Sequence, residues 1–302
     1  MEIIKLNGIK IADDTVAAIG FFDGVHLAHK KLINKTIEIG NEKGLKKAVI
    51  TFDVHPKSIL FDLDYFYLTP LKRKIEIFKE FDLDYIYVIE FSKEKASMTP
   101  IDFVNFYFSN INTVVCGFDF KFGVRGSGNV KTLLQDDRFE TIVVKEVTFE
   151  GYKVGSTHIR DLINSGQVEN VTEVLGDYYS LKGEVIHGAK KGRMIGYPTA
   201  NIDTGDYLIP KKGVYATMTK VEGKWYQSMS SIGHNPTLNC RVDLSVESNI
   251  FDFDQDIYGE TIEIMFIKRL RSELKFANVD ELITKIDQDK VDTLLILKNI
   301  DK

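Results

Sequence analysis

Residues 180–203 read SLKGEVIHGAKKGRMIGYPTANID, and this stretch decides how the second half of the chain folds. Gly188, Gly192 and Gly196 recur every four residues, so the backbone can bend there and bring N–H donors close to an anion. Three cations are interspersed with these glycines: Lys190, Lys191 and Arg193. The pattern predicts a corner that binds phosphate.

The Pro-Thr-Ala-Asn run at residues 198–201 decides between two interpretations of that corner. A glycine repeat without it is more typical of a flexible turn flanked by solvated lysines. Thr199 and Asn201 add a hydroxyl and an amide carbonyl, which are hard oxygen ligands that suit Mg²⁺ better than zinc or a softer metal. The sequence therefore predicts a site for a phosphate-bearing ligand and magnesium.

Downstream of this corner, polar and apolar residues alternate as they do in short strands joined by tight turns. Within residues 216–226, Glu222-Gly223 is typical of a hairpin turn. The same period of two continues at Ile262, Ile264 and Phe266. From residue 279 onward the spacing becomes helical, which predicts a small barrel closed by a C-terminal helix. The predicted apolar stripe of that helix is Leu282, Ile286, Leu294 and Leu297.

Upstream of the corner, apolar strand-like runs alternate with helix-like segments, and this order indicates a parallel sheet. The main runs are residues 16–19, 48–51, 85–89 and 113–116. One helix is predicted to start at Thr99, because threonine can cap a helix and Pro100 suits its first turn. Two more helices are predicted near residues 156–164 and 168–176, the first capped by Ser156.

The length of 302 residues fits two ordinary domains better than one large domain. The second helix of this pair is predicted to end near Gly176, and around Tyr179 the sequence changes from alternating helices and strands to strands joined by tight turns. We therefore expect one domain at residues 1–179 and another at residues 180–302.

Composition excludes several classes of function. The net charge is −5, from 44 acidic and 39 basic residues without a basic block, so sequence-independent nucleic-acid binding has no electrostatic support. Cys116 and Cys240 are far apart and belong to no C-x-x-C pair, which argues against a disulfide framework and a zinc site. No signal peptide and no run of 18 apolar residues is present, so we expect a cytoplasmic protein without membrane contact.

A second candidate site lies near the N-terminus, where residues 20–29 read GFFDGVHLAH between a predicted strand and a predicted helix. His26 and His29 would share one face of the first helical turn, where free N–H groups and the helix dipole favour an anion. Two histidines can stabilise the charge of a phosphoryl-transfer transition state. Two alternatives remain open: the histidines only cap or solvate the helix, or they bind zinc, for which no third ligand is apparent.

Residues 156–160, STHIR, form the other half of this candidate site. Hydroxyl groups at a helix start and Arg160 one turn later can hold phosphate oxygens. The alternative is an ordinary helix cap followed by a solvated arginine. The occurrence of STHIR and GFFDGVHLAH in one predicted α/β domain favours a shared phosphate site.

The motifs of the whole chain resemble those of bacterial bifunctional riboflavin kinase/FAD synthetases. Six segments resemble the kinase module in the family's order: HGAKKGRMIGYPTAN (187–201), GVYA (213–216), SIGHNPT (231–237), VESNIFDF (246–253), DIYG (256–259) and LRSELKF (270–276). Four resemble the preceding FMN adenylyltransferase module: GFFDGVHLAH, TFDVHP (51–56), GFDFKFG (117–123) and STHIR. The similarity covers nearly all 302 residues.

The resemblance implies an α/β protein in two parts. A Rossmann-like nucleotidyltransferase domain with a parallel sheet would precede a small antiparallel β-barrel riboflavin kinase domain with a C-terminal helix. The implied reactions are phosphorylation of riboflavin to FMN by ATP with Mg²⁺, and transfer of AMP from a second ATP to FMN, which gives FAD. The implied partners are these small molecules alone, and the sequence does not indicate an oligomeric state.

In the kinase module the resemblance makes Glu247 the general base that deprotonates the 5′-hydroxyl of riboflavin. The implied ATP-binding residues are Gly188, Lys190, Gly192, Arg193, Gly196, Pro198, Thr199 and Asn201. Thr199 and Asn201 would also hold the metal. The implied flavin-binding residues are Tyr258, Arg271, Glu273 and Phe276. Periodicity alone leaves open that Glu247 is an ordinary strand glutamate and Arg271 a surface charge.

In the adenylyltransferase module the resemblance makes His26 and His29 catalytic. The implied ATP-binding residues are Phe22, Asp23, His26, His29, Ser156, Thr157 and Arg160. The implied flavin-binding residues are His55, Pro56, Asp119 and Phe122. These side chains would position the reactants and stabilise charge, because the FMN phosphate itself attacks the α-phosphate of ATP. The residues alone leave open that Asp23 and Asp119 are turn aspartates and that residues 55–56 are a loop corner.

Two positions depart from the family pattern. Ala28 stands at the glycine of H-x-G-H, where its methyl group can crowd adenine or phosphate, and Gly155 stands where a serine usually precedes Ser-Thr. A lost hydroxyl contact at residue 155 would cost about 1 kcal/mol. These departures leave a monofunctional riboflavin kinase with a degenerate adenylyltransferase module as one alternative. A flavin- or nucleotide-binding regulator without turnover is another, which intact Glu247 and Thr199 oppose.

Overall fold

The computed structural model describes residues 1–7, 11, 13–188, 191–234 and 244–300, with only the backbone at residue 191. The chain forms two compact units, Met1–Ser156 and Thr157–Lys302. The domain boundary predicted at residue 179 lies inside the second unit and stays a prediction.

The first unit contains a six-stranded parallel sheet, which confirms the parallel sheet predicted from the sequence. Its elements are β1 (Glu2–Lys5), β2 (Thr15–Ile19), α1 (Leu27–Lys43), β3 (Lys46–Phe52), α2 (Pro56–Phe61), α3 (Leu71–Phe78), β4 (Tyr85–Ile89), α4 (Lys93–Ala96), α5 (Pro100–Tyr107), β5 (Ile111–Gly117), β6 (Lys121–Phe122), β7 (Gly128–Asn129), α6 (Val130–Leu134), β8 (Glu140–Val144), β9 (Thr148–Phe149) and β10 (Tyr152–Lys153). The strand order of the sheet is β1-β4-β3-β2-β5-β8.

Both faces of this sheet are buried, because successive side chains of a strand point to opposite sides. On β2, Val16 and Ala18 pack with apolar residues of α1 and α3. Ala17 and Ile19 belong to the opposite cluster, which includes apolar residues of α5. The first unit is therefore a doubly wound α/β fold.

The order of the strands locates the ligand-binding edge of the sheet. β2 and β5 are neighbours, but β3 and β4 lie on one side of this pair and β8 on the other. In open α/β sheets, ligands bind beyond the carboxyl ends of the two strands at such a switch point. The loop after β2 carries residues 20–26, and the loop after β5 carries Asp119. The topology therefore brings two of the predicted motifs to the same edge.

The helix starts follow the predicted capping pattern in part. Thr99 caps α5 as predicted, since its Oγ1 accepts a hydrogen bond of 3.2 Å from the backbone N–H of Asp102. Helix α7 (Ser156–Ser165) leads into the second unit and is followed by Gly166 with φ 85°. The segment predicted as one helix at residues 168–176 is a 3₁₀ turn, Val168–Val171, followed by α8 (Thr172–Leu175).

The second unit contains a closed six-stranded antiparallel barrel and a C-terminal helix, which confirms the predicted architecture. After α8 its elements are β11 (Ser180–Ile186), α9 (Lys191–Met194), β12 (Ala200–Asp203), β13 (Gly213–Val221), β14 (Lys224–His234), β15 (Leu244–Ile250), β16 (Thr261–Arg271) and α10 (Val279–Leu297). The strand order around the barrel is β11-β12-β15-β14-β13-β16. Glu222 and Gly223, with φ values of 49° and 85°, form the predicted two-residue turn.

A network of buried hydroxyl groups lies inside the barrel. Its members are Thr217, Thr219, Ser228, Ser230 and Ser248, each at most 1 % exposed. Thr219 bonds Ser228 and Ser248, both at 2.8 Å, and Thr217 bonds Ser228 at 2.8 Å and Ser230 at 2.9 Å. Since β14 separates β13 from β15, the bond from Thr219 to Ser248 crosses the barrel interior.

Helix α10 packs on the barrel with a stripe that is only partly apolar. Leu297 packs in one cluster with Met218 and Met265, as the helical spacing predicts. The prediction for Leu294 is wrong: that side chain is 39 % exposed, whereas Asp289 is 1 % exposed. A carboxylate can take the buried position because it is paired with two cations.

The partner of Asp289 is Arg271 at the end of β16. Arg271 donates to Asp289 Oδ2 from Nε at 2.7 Å and from Nη2 at 2.6 Å. Lys285 Nζ lies 3.1 Å from Asp289 Oδ1. The two cations therefore pair with both oxygens of a carboxylate that the apolar stripe would otherwise exclude.

Asp289→Asn is expected to destabilise the second unit by about 3 kcal/mol or more, because it leaves two cations beside a neutral amide at a site where the carboxylate is 2 % exposed. Urea unfolding followed by the fluorescence of Trp225, the single tryptophan of the chain, measures the effect. Asp292→Asn on the same helix serves as the control, with an expected change within about 0.5 kcal/mol. Equal urea midpoints for both variants would contradict a stabilising ion pair.

Candidate active sites

The glycine-rich corner of the second unit is too closely packed for side chains at two of its glycines. A Cβ atom at Gly188 would lie 2.4 Å from Nδ2 of Asn201, and one at Gly192 would lie 2.3 Å from the carbonyl oxygen of Tyr197. Gly196 has φ 86°, in the region that favours glycine. Each of the three predicted glycines therefore shapes the corner for a steric reason.

The cations of this corner are only partly described. Arg193 lies on the short helix α9. Lys190 lies outside the described residues, and so does the side chain of Lys191. Residues 235–237 of the predicted SIGHNPT motif and Cys240 are outside them as well.

Strands β12 and β15 bring the Pro-Thr-Ala-Asn run against Glu247. Asn201 and Glu247 are directly paired across these two strands. The hydroxyl of Thr199 donates to Glu247 Oε2 at 3.0 Å. Asn249 donates from Nδ2 to the carbonyl oxygen of Pro198 at 2.6 Å. The structure therefore brings together four of the predicted residues and adds Asn249, whose position two residues after Glu247 places it on the same strand face.

The oxygen atoms of this group fit a magnesium ion. Asn201 is 5 % exposed, and its Oδ1 is buried without a hydrogen-bond partner. A buried acceptor of this kind ordinarily has a partner. The amide oxygen lies in the same run as the Thr199 hydroxyl, and hydroxyl and amide oxygens are hard ligands of the type that Mg²⁺ takes.

A cavity of about 330 Å³ opens beside the corner. Its walls include Arg193, Pro198 and Thr199 from the corner, Ser248 and Ile250 from the barrel, and Tyr258. The rings of Tyr258 and His187 pack with centroids 4.0 Å apart. The cavity has room for part of a nucleotide or a flavin and lies next to the predicted phosphate site.

Of the four predicted flavin-binding residues, only Tyr258 lines this cavity. Arg271 is engaged by Asp289. Glu273 lies against Gly233, where an added Cβ atom would be 2.6 Å from Glu273 Oε1. Phe276 is half-buried. The structure does not bring these three side chains to the cavity, and their flavin contacts stay a prediction.

In the first unit, residues 20–26 form a tightly held loop between β2 and α1. Phe22 and Val25 have φ values of 57° and 43°, a conformation that costs energy in residues other than glycine, and most in a β-branched valine. Asp23 is 3 % exposed, and its Oδ1 accepts from the backbone N–H of Thr69 at 3.1 Å. Its carbonyl oxygen accepts from the hydroxyl of Ser156 at 2.7 Å. Asp23 is therefore an anchor of the loop.

The contact of Ser156 corrects one prediction. The sequence predicts that its hydroxyl caps helix α7, but the hydroxyl donates to the carbonyl of Asp23, and Ser156 is already the first helical residue. The long-range contact brings the start of the STHIR motif to the GFFDGVH loop. Thr157 and Arg160 follow in α7.

His26 and His29 lie together at the start of α1. His26 is the N-cap residue, and its Nδ1 accepts from the backbone N–H of His29 at 3.4 Å. The two rings stack with centroids 3.6 Å apart and planes 16° from parallel. The Nδ1 atom of His29 is buried without a hydrogen-bond partner. Capping thus accounts for one nitrogen of His26 and leaves a polar atom of His29 free for a ligand.

Both histidines are neutral at physiological pH. Burial lowers the pKa of His26 to about 4, against an opposing effect of the Asp119 carboxylate. Burial also lowers the pKa of His29 well below its usual value, and a positive charge on His26 or Lys74 lowers it further. A neutral imidazole can donate a hydrogen bond to a phosphate oxygen from its N–H group without carrying a charge of its own.

Two family models match the chain, one described as FAD synthetase over residues 9–158 and one described as riboflavin kinase over residues 175–297. A bifunctional riboflavin kinase/FMN adenylyltransferase from Listeria monocytogenes is 43 % identical over 285 residues, which cover 92 % of this chain and 91 % of that protein. The chain belongs to this bifunctional family. The Bacillus subtilis member is 38 % identical, over 95 % of this chain and 94 % of its own length.

One solved structure is similar in fold to this chain over nearly its whole length. It is described as a macrolide-efflux protein from Streptococcus pneumoniae, is 31 % identical, and superposes with a TM-score of 0.88 over 99 % of both chains. Among the helices of the described residues, none combines the length and apolar character needed to cross a membrane.

Residues 55–56, which are predicted to bind the flavin, lie in a cluster of aromatic rings. His55 caps α2, since its Nδ1 accepts from the backbone N–H of Lys57 at 3.1 Å, and Pro56 is the first helical residue. The His55 ring stacks on Tyr65 at 4.0 Å and meets the edge of Phe21 at 4.7 Å. Sequence reasoning did not single out Phe21, although it lies inside the quoted motif at residues 20–29, and Tyr65 lies outside every quoted motif.

The other two predicted flavin residues lie beyond strand β5. Asp119 accepts a hydrogen bond of 2.5 Å from Lys153 Nζ and is exposed. Phe122 is 5 % exposed and packs on Phe103 in the hydrophobic core, with ring centroids 5.3 Å apart. Phe122 therefore has little free surface for a flavin, and its position gives the predicted contact no support.

The departure from the family pattern at Gly155 is not imposed by crowding. A Cβ atom at this position would meet no atom within 4 Å. The backbone there also lies outside the left-handed region, so a serine would fit. The missing hydroxyl is therefore a local loss and leaves the surrounding packing unchanged.

Acidification is expected to destabilise the first unit through His26 and His29. Their pKa values are lower in the folded chain, so their contribution to stability is present above about pH 6.5 and lost as the unfolded chain takes up protons below it. Each histidine can cost up to about 1.4 kcal/mol per pH unit, for His26 down to about pH 4. Urea unfolding at pH 7, 6 and 5 measures the slope. His26→Gln should show a shallower slope, and equal slopes would contradict the assignment.

Proposed function

We propose that this chain makes FMN and then FAD. Its kinase module, residues 180–302, phosphorylates riboflavin with ATP, and its adenylyltransferase module, residues 1–179, transfers AMP from a second ATP to FMN. The observation that carries the proposal is the hydrogen bond from Thr199 to Glu247, which joins a metal-binding run to a carboxylate.

In the kinase reaction Glu247 accepts the proton of the riboflavin 5′-hydroxyl as that oxygen attacks the γ-phosphate of ATP. The Thr199 hydroxyl orients the carboxylate, and Asn249 fixes the run by holding Pro198. The glycine corner with Arg193 and Lys190 binds the phosphates. Thr199 and Asn201 would hold Mg²⁺, and the bound ion would neutralise negative charge on the phosphates.

The flavin of the kinase reaction is assigned to Tyr258, Arg271, Glu273 and Phe276 by their place in the family motifs. Tyr258 supports this assignment through its position in the cavity wall. The guanidinium of Arg271 is paired with Asp289, so Arg271 would act by fixing the position of its own segment.

In the adenylyltransferase reaction the FMN phosphate attacks the α-phosphate of ATP and pyrophosphate leaves. The roles in this module are positioning the reactants and stabilising charge. ATP is assigned to Phe22, Asp23, His26, His29, Ser156, Thr157 and Arg160, and the flavin to His55, Pro56, Asp119 and Phe122. Asp23 and Phe22 are both buried, so they would act by holding the conformation of the loop at residues 20–26. We propose the cytoplasm as the compartment of this protein, because its substrates riboflavin and ATP are cytoplasmic.

Product analysis tests both activities. Purified protein is incubated with Mg²⁺, ATP and riboflavin, and separately with Mg²⁺, ATP and FMN, and the flavins are resolved by chromatography. The proposal expects FMN and FAD in the first mixture and FAD in the second. FMN without FAD would identify a monofunctional kinase, and binding without either product would identify a regulator.

A further inference from the structure

A buried lysine lies beneath the loop that leads to the two histidines. Lys74 on α3 is 1 % exposed. Its Nζ donates to the carbonyl oxygen of Phe21 at 2.6 Å and to the hydroxyl of Thr51 at 3.3 Å, and it lies 4.1 Å from the centre of the Phe21 ring. The ammonium is thus held by a carbonyl, a hydroxyl and an aromatic face.

Stability alone does not explain a lysine at this position. Burial lowers the pKa of Lys74 to about 8, in spite of the negative charges of Asp23 and Asp53. The shift shows that the charged form is less well solvated here than in water. The neighbouring buried position on the same helix is Phe78, and an apolar residue at position 74 would avoid the cost of burying a charge.

The carbonyl that Lys74 holds belongs to the strained loop. Thr51 donates to the same Phe21 oxygen at 3.1 Å, so this oxygen accepts from two donors. The next residue, Phe22, has φ 57°, and its ring lies 5.1 Å from the ring of His29. Fixing Phe21 therefore fixes the backbone that carries Phe22 and, four residues later, the cap residue His26.

We propose that Lys74 is a positioning residue for the transfer of AMP to FMN, which acts by holding the Phe21 carbonyl and so keeping residues 20–25 in the conformation that presents His26 and His29. The inference rests on the proposed adenylyltransferase function of this module. It requires the hydrogen bond of Lys74, and no contact between Lys74 and substrate.

The test compares three variants. Lys74→Met removes the hydrogen bond and the charge, and it is expected to lower kcat for FAD formation roughly tenfold to a hundredfold, the worth of one hydrogen bond from a charged group. Lys74→Gln retains an N–H donor for the Phe21 carbonyl and should recover most of this loss. Lys72→Met, on the exposed face of the same helix, should match wild type. FMN formation from riboflavin, measured in the same samples, should be unchanged in all three.

Thermal unfolding separates positioning from a merely structural role. Because the methionine buries no charge, Lys74→Met should unfold at the wild-type temperature or above it while losing FAD formation. Full FAD formation by Lys74→Met would overturn the inference. A parallel fall in unfolding temperature and FAD formation in both Lys74→Met and Lys74→Gln would overturn it as well. Equal inactivity of both variants at the wild-type unfolding temperature would assign the effect to charge and also overturn it. Failure of the wild-type protein to make FAD would instead remove the proposed function itself.

Discussion

Glu247→Gln is expected to stop FMN formation from riboflavin and to leave FAD formation from supplied FMN intact. Glutamine keeps the size of the side chain and can still accept the hydrogen bond of Thr199, but it cannot take up the proton of the substrate hydroxyl. Loss of a general base lowers a rate by about 10²- to 10⁴-fold. Initial rates of FMN formation at saturating ATP and Mg²⁺, followed by chromatography, measure the loss.

The matched control for this change is Glu184→Gln, an exposed glutamate on β11 of the same barrel. It should form FMN at the wild-type rate. A Glu247→Gln protein that kept more than about a tenth of the activity would assign the base to another group. Loss of FAD formation from FMN in the folded variant would count against two separate sites.

His26→Asn is expected to lower FAD formation by about 10²- to 10³-fold while the protein stays folded, since groups that stabilise transition-state charge have effects of this size. Asparagine is a good N-cap residue, so α1 keeps its cap and only the imidazole is lost. Rates of FAD formation from FMN and ATP measure the effect, and FMN formation from riboflavin provides an unchanged reference.

The control for the cap exchange is Ser92→Asn, which makes the same kind of change at the start of α4, where the Ser92 hydroxyl accepts from Lys95 N–H at 3.2 Å. It should leave both activities and the unfolding temperature as in wild type. If His26→Asn kept wild-type FAD formation, the histidine would serve only as a cap, which is the alternative that the sequence leaves open.

The fold was predictable because its signals are local. The period of two in β13 and β16, the Glu222-Gly223 turn and the apolar runs of the parallel sheet each reside in fewer than a dozen residues. The Leu294 error has the opposite origin. Asp289 takes a buried position of α10 because Arg271 and Lys285 pair with it, and helical spacing carries no information on Arg271, which lies 18 residues away.

In the candidate sites, too, features carried by local sequence were predicted and long-range contacts were missed. The glycine corner and Glu247 were predicted as site residues from contiguous motifs, and the pairing of β12 with β15 places Asn201 opposite Glu247. Lys74 was missed because a single lysine in an amphipathic helix has the pattern of a solvated side chain. The contact of Ser156 with Asp23 was missed because 133 positions separate the two residues. Such contacts depend on the tertiary fold, which no local pattern contains.

The hydroxyl network inside the barrel limits how this protein can diverge. Ser230 has its bond in this network from Thr217, and Ser248 has its bond from Thr219. Replacing either threonine by alanine therefore leaves a serine hydroxyl in the interior without that partner, at about 1–3 kcal/mol. Replacing all five together by apolar residues of similar shape would leave no atom stranded. Relatives are therefore expected to keep the set intact or to exchange it as a block, with the intermediate combinations penalised by selection.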